Sequence, residues 1–251
     1  MSGDPSVELR GIGRCLDDLK KDEDWEAKIS GDYERICLIV VNTNANFRMN
    51  LGMGALNDAV VLARAMKLYN FEIFYVLKPT VSIFRTVTSR CLRSTTEHMV
   101  FFYTGHGNLK MTVTSKSVSR PFVFGEESIS DEQFMESIRL NRQEGARLTL
   151  ITDSCQPDSI WDLRTGTVHG KPAPENMVSI SSTVDMEMIE DVDVGPSQKS
   201  EFVTHLAKWM EQSPSLTPKD LYMTMRKVMK RWGQDFIVGS TTEGLMDVPL
   251  F

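Results

Sequence analysis

Apolar residues fill positions 36–41 without interruption, dense apolar blocks occupy 71–77 and 99–103, and 147–152 and 177–182 are shorter strand-like stretches with polar residues among the apolar ones. Blocks this short and this rich in Val, Ile and Phe read as strands buried on both faces, the condition of a parallel sheet. Between the first two blocks, residues 55–69 place Leu56, Ala59, Val60, Ala63 and Met66 at helical spacing, with Lys67 at the edge of the stripe, where its stem packs and its charge stays wet. Pro79 ends the second strand, and Thr80 is positioned to cap a helix running to about Arg93. Strand, helix, strand, helix, strand in that order predicts right-handed crossovers and a sheet covered on both sides.

Farther along, 111–114 and 121–124 are β-rich pieces that read together as a hairpin inserted after the third strand. Ser130 with Gln133 three residues on is a capping-box start for a helix through Leu140. Residues 156–176 hold Pro157, Gly166, Gly170, Pro172 and Pro174, too many breakers for a regular element, so a long loop is expected there. Two helices follow at 201–211 and 218–232, the second capped by Thr217 with Pro218 at its first position, and 234–239 is a last short strand. Residues 1–33 are polar and read as a short leader with one helical turn around 15–21, and 34–251 as the folded domain.

Composition narrows the picture. A chain of 251 residues with 41% hydrophobic and 25% charged positions can bury the core of one α/β domain. A formal net charge of -6 disfavours a nucleic-acid footprint and suits basic substrates. The 4 cysteines, Cys15, Cys37, Cys91 and Cys155, form no close pair and no metal-finger spacing, which fits a reducing compartment. Residues 1–24 contain no apolar stretch long enough for a signal peptide or a membrane span. The expected location is the cytoplasm, with the nucleus as the alternative, and no membrane or nucleic-acid partner is expected.

The chemistry sits at the carboxyl ends of two of these strands, where open α/β sheets bind ligands. Tyr-Thr-Gly-His-Gly at 103–107 follows the third block, and Thr-Asp-Ser-Cys at 152–155 follows the fourth. A thiolate attacks a carbonyl well only if a base takes its proton and donors hold the oxyanion. His106 is the base these residues offer and Cys155 the nucleophile. Glycines on both sides of His106 permit a tight turn, and the Gly107 and Cys155 N–H groups make a two-donor oxyanion hole. Side chains two apart on a strand point the same way, so Asp153 faces the side of Cys155. His98, His169 and His205 receive no role.

These motifs resemble those of the metacaspases, within the caspase-like cysteine peptidases, whose His and Cys stand about 50 residues apart as here. Residues 103–107 are similar to the family's Tyr-Ser-Gly-His-Gly, and Asp153-Ser154-Cys155 to its Asp-Ser-Cys. Residues 54–59, Gly-Ala-Leu-Asn-Asp-Ala, resemble the segment that opens the family's first helix. The resemblance implies a caspase-like three-layer α/β/α sandwich around a mostly parallel sheet of six or more strands. It also implies a cysteine endopeptidase that works through a His106/Cys155 dyad and cleaves after Arg or Lys. Asp58 matches the family's second pocket acid, and Thr104 comes with its motif as a substrate-binding residue. Two carboxylates, Asp58 and Asp153, around one slot favour a guanidinium, which binds them through paired hydrogen bonds.

The expected partners are protein or peptide substrates with basic residues, and the expected cofactors are none. Calcium is disfavoured because the insert after the His motif carries Lys110, Lys116 and Arg120 against Glu126 and Glu127. The acidic run 185–193 reads as a solvated loop. Arg164 and Lys171 are basic positions in the long loop at which self-processing is conceivable. Two departures stand out: Gln156-Pro157-Asp158 follows the nucleophile where the family has His-Ser-Gly, and Ala55 replaces a cysteine. The first supports an alternative, a catalytically silent caspase-like scaffold that binds partners through the same cleft. A nucleotide-binding module lacks its glycine-rich fingerprint after any strand.

Overall fold

The computed structural model describes residues 4–17, 28–43, 52–105, 112–114, 117–119, 122–124, 127–154, 163, 166–168, 171–184 and 200–251. Its centre is a sheet built from β1 (Arg14–Cys15), β2 (Tyr33–Asn42), β3 (Glu72–Leu77), β4 (Thr95–Gly105), β5 (Arg147–Ser154), β6 (Met177–Val184) and β7 (Gln234–Ser240). In space the order is β1-β3-β2-β4-β5-β6-β7, parallel throughout except for the antiparallel pair β6–β7. The uninterrupted apolar block of β2 lies next to the middle of this sheet, and Ile36 to Val41 are each at most 1% exposed. A strand buried on both faces has no polar side to present, which is why its sequence shows no alternation.

Alternate residues of the central strands feed two separate cores. Cys37, Ile39, Val41, Ile73, Tyr75, Val100, Phe102 and Ile151 point to one face, against α1 (Pro5–Ile12), α2 (Gly52–Lys67), α5 (Glu201–Gln212) and α6 (Pro218–Arg231). Ile36, Leu38, Val40, Phe74, Phe101 and Leu150 point to the other, against α3 (Val81–Ser94) and α4 (Asp131–Asn141). The result is an α/β/α sandwich. Phe84 of α3 anchors the second core, its ring 4.8 Å from Phe124 and 5.5 Å from Phe134. Helix starts follow their sequence signals: Thr80 accepts from the Ile83 N–H, Thr217 from the Asp220 N–H, and Ser130 with Gln133 forms both bonds of a capping box.

Three local expectations differ from the structure. The polar N-terminal segment is woven into the domain: α1 packs on α2, β1 pairs with β3, and Leu9 and Leu16 are fully buried. A helix lies at Pro5–Ile12, where Asp4 caps it and Pro5 opens it, and Cys15 is in strand, while 18–21 of the span expected to be helical lie outside the described residues. The β-rich pieces at 111–114 and 121–124 do not pair with each other. Thr112–Thr114 pairs with Ser117–Ser119 and Phe122–Phe124 with Glu127–Ile129, each across a two-residue connection, the shortest closure a hairpin allows. Within the long loop, Thr167–Val168 and Lys171–Pro172 form a small antiparallel pair.

Candidate active site

Four strands end together at the carboxyl edge of the sheet. Asn42 stands beside Gly105, Gly105 beside Ser154, and Ser154 beside Thr183. One residue earlier, Val41, Thr104, Asp153 and Ser182 form a row across the same four strands. Residues in register on adjacent parallel strands share a face, and Val41 belongs to the core beneath α2 and α5. Thr104 and Asp153 therefore face that side. Thr104 is buried and Asp153 partly so.

Asp58 arrives on the same side from α2, in the second turn after its start at Gly52, and is 4% exposed. Its Oδ1 accepts from the main-chain N–H of Ser200 at 2.9 Å. The Ser200 side chain lies near the Asp153 carboxyl and favours its charged form. Ser200 is also the N-cap of α5, its Oγ accepting from the Val203 N–H at 3.4 Å. Burial pushes the Asp153 carboxyl up to about 6, against the opposing pull of the Ser200 hydroxyl. Neither the meeting of the acids at one residue nor the part of Ser200 follows from the motifs. The available signal was a serine directly before an apolar-periodic segment, the mark of an N-cap.

Gly105 has a steric reason to be glycine. A Cβ there would lie 2.8 Å from Asn42 Cβ, 2.9 Å from the Asn42 carbonyl oxygen and 3.0 Å from Tyr103 Oη. Asn42 Nδ2 donates to Tyr103 Oη at 3.3 Å, tying the end of β2 to β4. The close approach at this glycine is thus made by the neighbouring strand.

His106, Gly107, Cys155 and Arg164 lie outside the described residues, as does the acidic run 185–193. Lys171 is exposed and its Nζ lies 3.0 Å from Glu132 Oε1. The histidines given no role divide: His98 is buried in the sheet, and His205 pairs with Glu201 at 3.5 Å, while His169 is outside the described residues. Among the described residues no group of three or more His, Cys, Asp or Glu side chains is gathered as a metal would need, and no helix is long and apolar enough to cross a membrane.

A family model described as the caspase domain matches residues 34–243. No curated protein matches the chain.

Proposed function

Because the chain belongs to the caspase-domain family of cysteine peptidases, we propose that it is an endopeptidase of metacaspase type, cleaving peptide bonds after Arg or Lys. The observation that carries the specificity is the convergence of Asp58 and Asp153 on Ser200, beneath the edge where β4 and β5 end. Two carboxylates on one wall suit a guanidinium, which bonds both through its planar fork, or an ammonium, which bonds them as a point charge. Thr104, in register with Asp153, lines the same face.

In the chemical step His106 takes the Cys155 proton and the thiolate attacks the scissile carbonyl. The Gly107 and Cys155 N–H groups hold the oxyanion, His106 protonates the leaving amine, and water resolves the acyl-enzyme. Support for this assignment comes from register: the chain enters His106 directly from Gly105 and Cys155 directly from Ser154, and those two residues are partners on adjacent strands. Arg164 is the better of the two candidates for self-processing, because Lys171 is held by Glu132 and precedes Pro172. Intact-mass comparison of the wild type with Cys155→Ala reads any such cut.

The test is hydrolysis of fluorogenic peptides ending in Arg, Lys or Asp. Faster release from the Arg and Lys peptides, lost in Cys155→Ala, is the expected result. Equal or faster release from the Asp peptide sinks the specificity. The silent-scaffold reading keeps the support of Gln156-Pro157-Asp158 after the nucleophile, and titration with an irreversible thiol-directed peptide separates the two. A scaffold takes no label at Cys155.

A further inference from the structure

The last long helix, α6, turns an apolar side to the core and a basic side outward. Leu221, Met225 and Met229 are buried beneath it, while Lys219, Met223, Arg226, Lys227, Lys230 and Arg231 are exposed. Positions 219, 223, 226, 227 and 230 stand three and four apart, so they line up as one stripe along the helix. Lys219 is paired with Asp247 at 2.9 Å. Among the described residues no carboxylate pairs with Arg226, Lys227, Lys230 or Arg231, although the chain as a whole carries a net charge of -6. Trp232, the C-cap of the helix, is 53% exposed.

Cations in a last turn complement the helix dipole, which accounts for Lys230 and Arg231. The dipole asks nothing of Arg226 and Lys227 a turn earlier, nor does it leave a tryptophan in water. We infer that the C-terminal end of α6 is a second recognition surface for the substrate, binding acidic residues a few positions away from the Arg or Lys at the cut. The inference rests on the reading of the carboxyl edge of the sheet as the site of cleavage.

Placement joins this surface to that edge. β7 begins at Gln234, the partner of Val184, and Thr183, one residue earlier on β6, is the partner of Ser154. The end of α6 therefore lies at the carboxyl edge, two strand spacings, about 10 Å, from the residue that precedes Cys155, and Lys230 and Arg231 lie within one further helical turn. An extended peptide covers about 3.3 Å per residue, so roughly three to six residues bridge the two places. α6 also packs on the same side of the sheet as Asp58 and Asp153. One exposed acid, Asp235, follows at the start of β7 and leaves the cations in excess. Each exposed ion pair is weak, so the surface acts through several cations at once and fades as salt rises.

The experiment is calorimetric titration of peptides into Cys155→Ala protein, alone and with Lys227, Lys230 and Arg231 all replaced by Gln. Each peptide carries one Arg, and about five residues from it, on either side, a block of Glu or a block of Gln. Expected at low salt is about tenfold tighter binding of the Glu-block peptide, an advantage that disappears in the triple variant and at about 0.5 M salt, with the unfolding temperature unchanged. Equal binding of the Glu and Gln blocks, or an advantage that the triple variant keeps, overturns the inference alone. Equal binding of the Arg peptide and a norleucine analogue shows the two-acid slot to be wrong, and the inference falls with it. Two other occupants have their own readouts. An advantage that emerges only when the acids of 185–193 are changed to Asn and Gln gives the surface to the chain's own acidic run. Sedimentation with anionic phospholipid vesicles, lost in the triple variant and without any Glu-block advantage, gives it to a membrane. Either result overturns the inference.

Discussion

At the amino end of the central sheet Arg35, His98 and Arg147 stand in register on β2, β4 and β5, whereas at the carboxyl end the paired charges are the acids Asp58 and Asp153. The two ends resolve crowded like charges differently. His98 is 5% exposed, its Nε2 lies 2.9 Å from Thr149 Oγ1, and its ring stacks on Phe251 with centroids 6.3 Å apart. Burial, with Arg147 and Arg35 alongside, pulls its pKa well below the usual histidine range, so it packs as a neutral ring. Of the acids, Asp58 is held instead by the Ser200 main-chain N–H, while burial raises the Asp153 carboxyl to about 6. Neutralising a group suits a structural end that only has to stay folded. Two carboxylates on one side suit the basic residue that the proposed function assigns to this end.

The largest effect that separates the ends is on catalysis. Asp58→Asn and Asp153→Asn should each lower kcat/KM for an Arg-ended peptide by about a hundredfold, chiefly through KM, since each removes a charge-assisted bond from the slot. His98→Gln should leave that ratio within about twofold, because nothing at the amino end reaches substrate. Steady-state kinetics on the three variants decides whether the division of labour is real.

Next in size is Gly105→Ala. The added Cβ meets backbone, the Asn42 carbonyl oxygen, which cannot swing aside as a side chain can. Thermal unfolding should show a loss of about 1–3 kcal/mol, the usual cost of overpacking, together with reduced turnover as the end of β4 shifts. An unchanged melting temperature contradicts the steric account.

The smallest effect is the most diagnostic, because the two ends should respond to pH with opposite sign. The folded pKa of Asp153 is raised from 3.8 to about 6, so between those values the folded chain keeps a proton that the unfolded chain has released. Its contribution to stability is present below the lower value and is lost as pH rises through the upper one. For His98 the folded pKa lies well below 6.5, so the unfolded chain takes the proton first, and stability present above 6.5 is lost as pH falls. Unfolding measured at about pH 5 and about pH 7 should show Asp153→Asn gaining on the wild type as pH rises and His98→Gln gaining as pH falls. The same sign on both variants breaks the comparison.

The sheet and its crossover helices are legible in the sequence because the central parallel strands β2, β3 and β4 announce themselves as apolar blocks. Residues 36–41 sit inside β2, and Thr80, Ser130 and Thr217 cap the helices they were expected to cap. Less legible is whatever depends on partners distant in sequence. The polar composition of the N-terminal segment hides Leu9 and Leu16, which are buried in the two cores as α1 packs on α2 and β1 pairs with β3. The motif around His106 shows that Gly105 matters without revealing that Asn42 is the reason. Asp58 and Asp153 are legible as acids near a nucleophile, but the Ser200 N–H that Asp58 accepts comes from far along the chain and is announced only by its N-cap position.

A thiol peptidase whose two acids choose a basic residue must show that choice in its initial rates. Initial rates on matched Arg-ended and Asp-ended fluorogenic peptides are compared for the wild type, Cys155→Ala and Asp153→Asn. The account predicts release from the Arg peptide alone, abolished in Cys155→Ala and strongly reduced in Asp153→Asn. Release from the Asp peptide at an equal rate, or release from either peptide that survives Cys155→Ala, contradicts it.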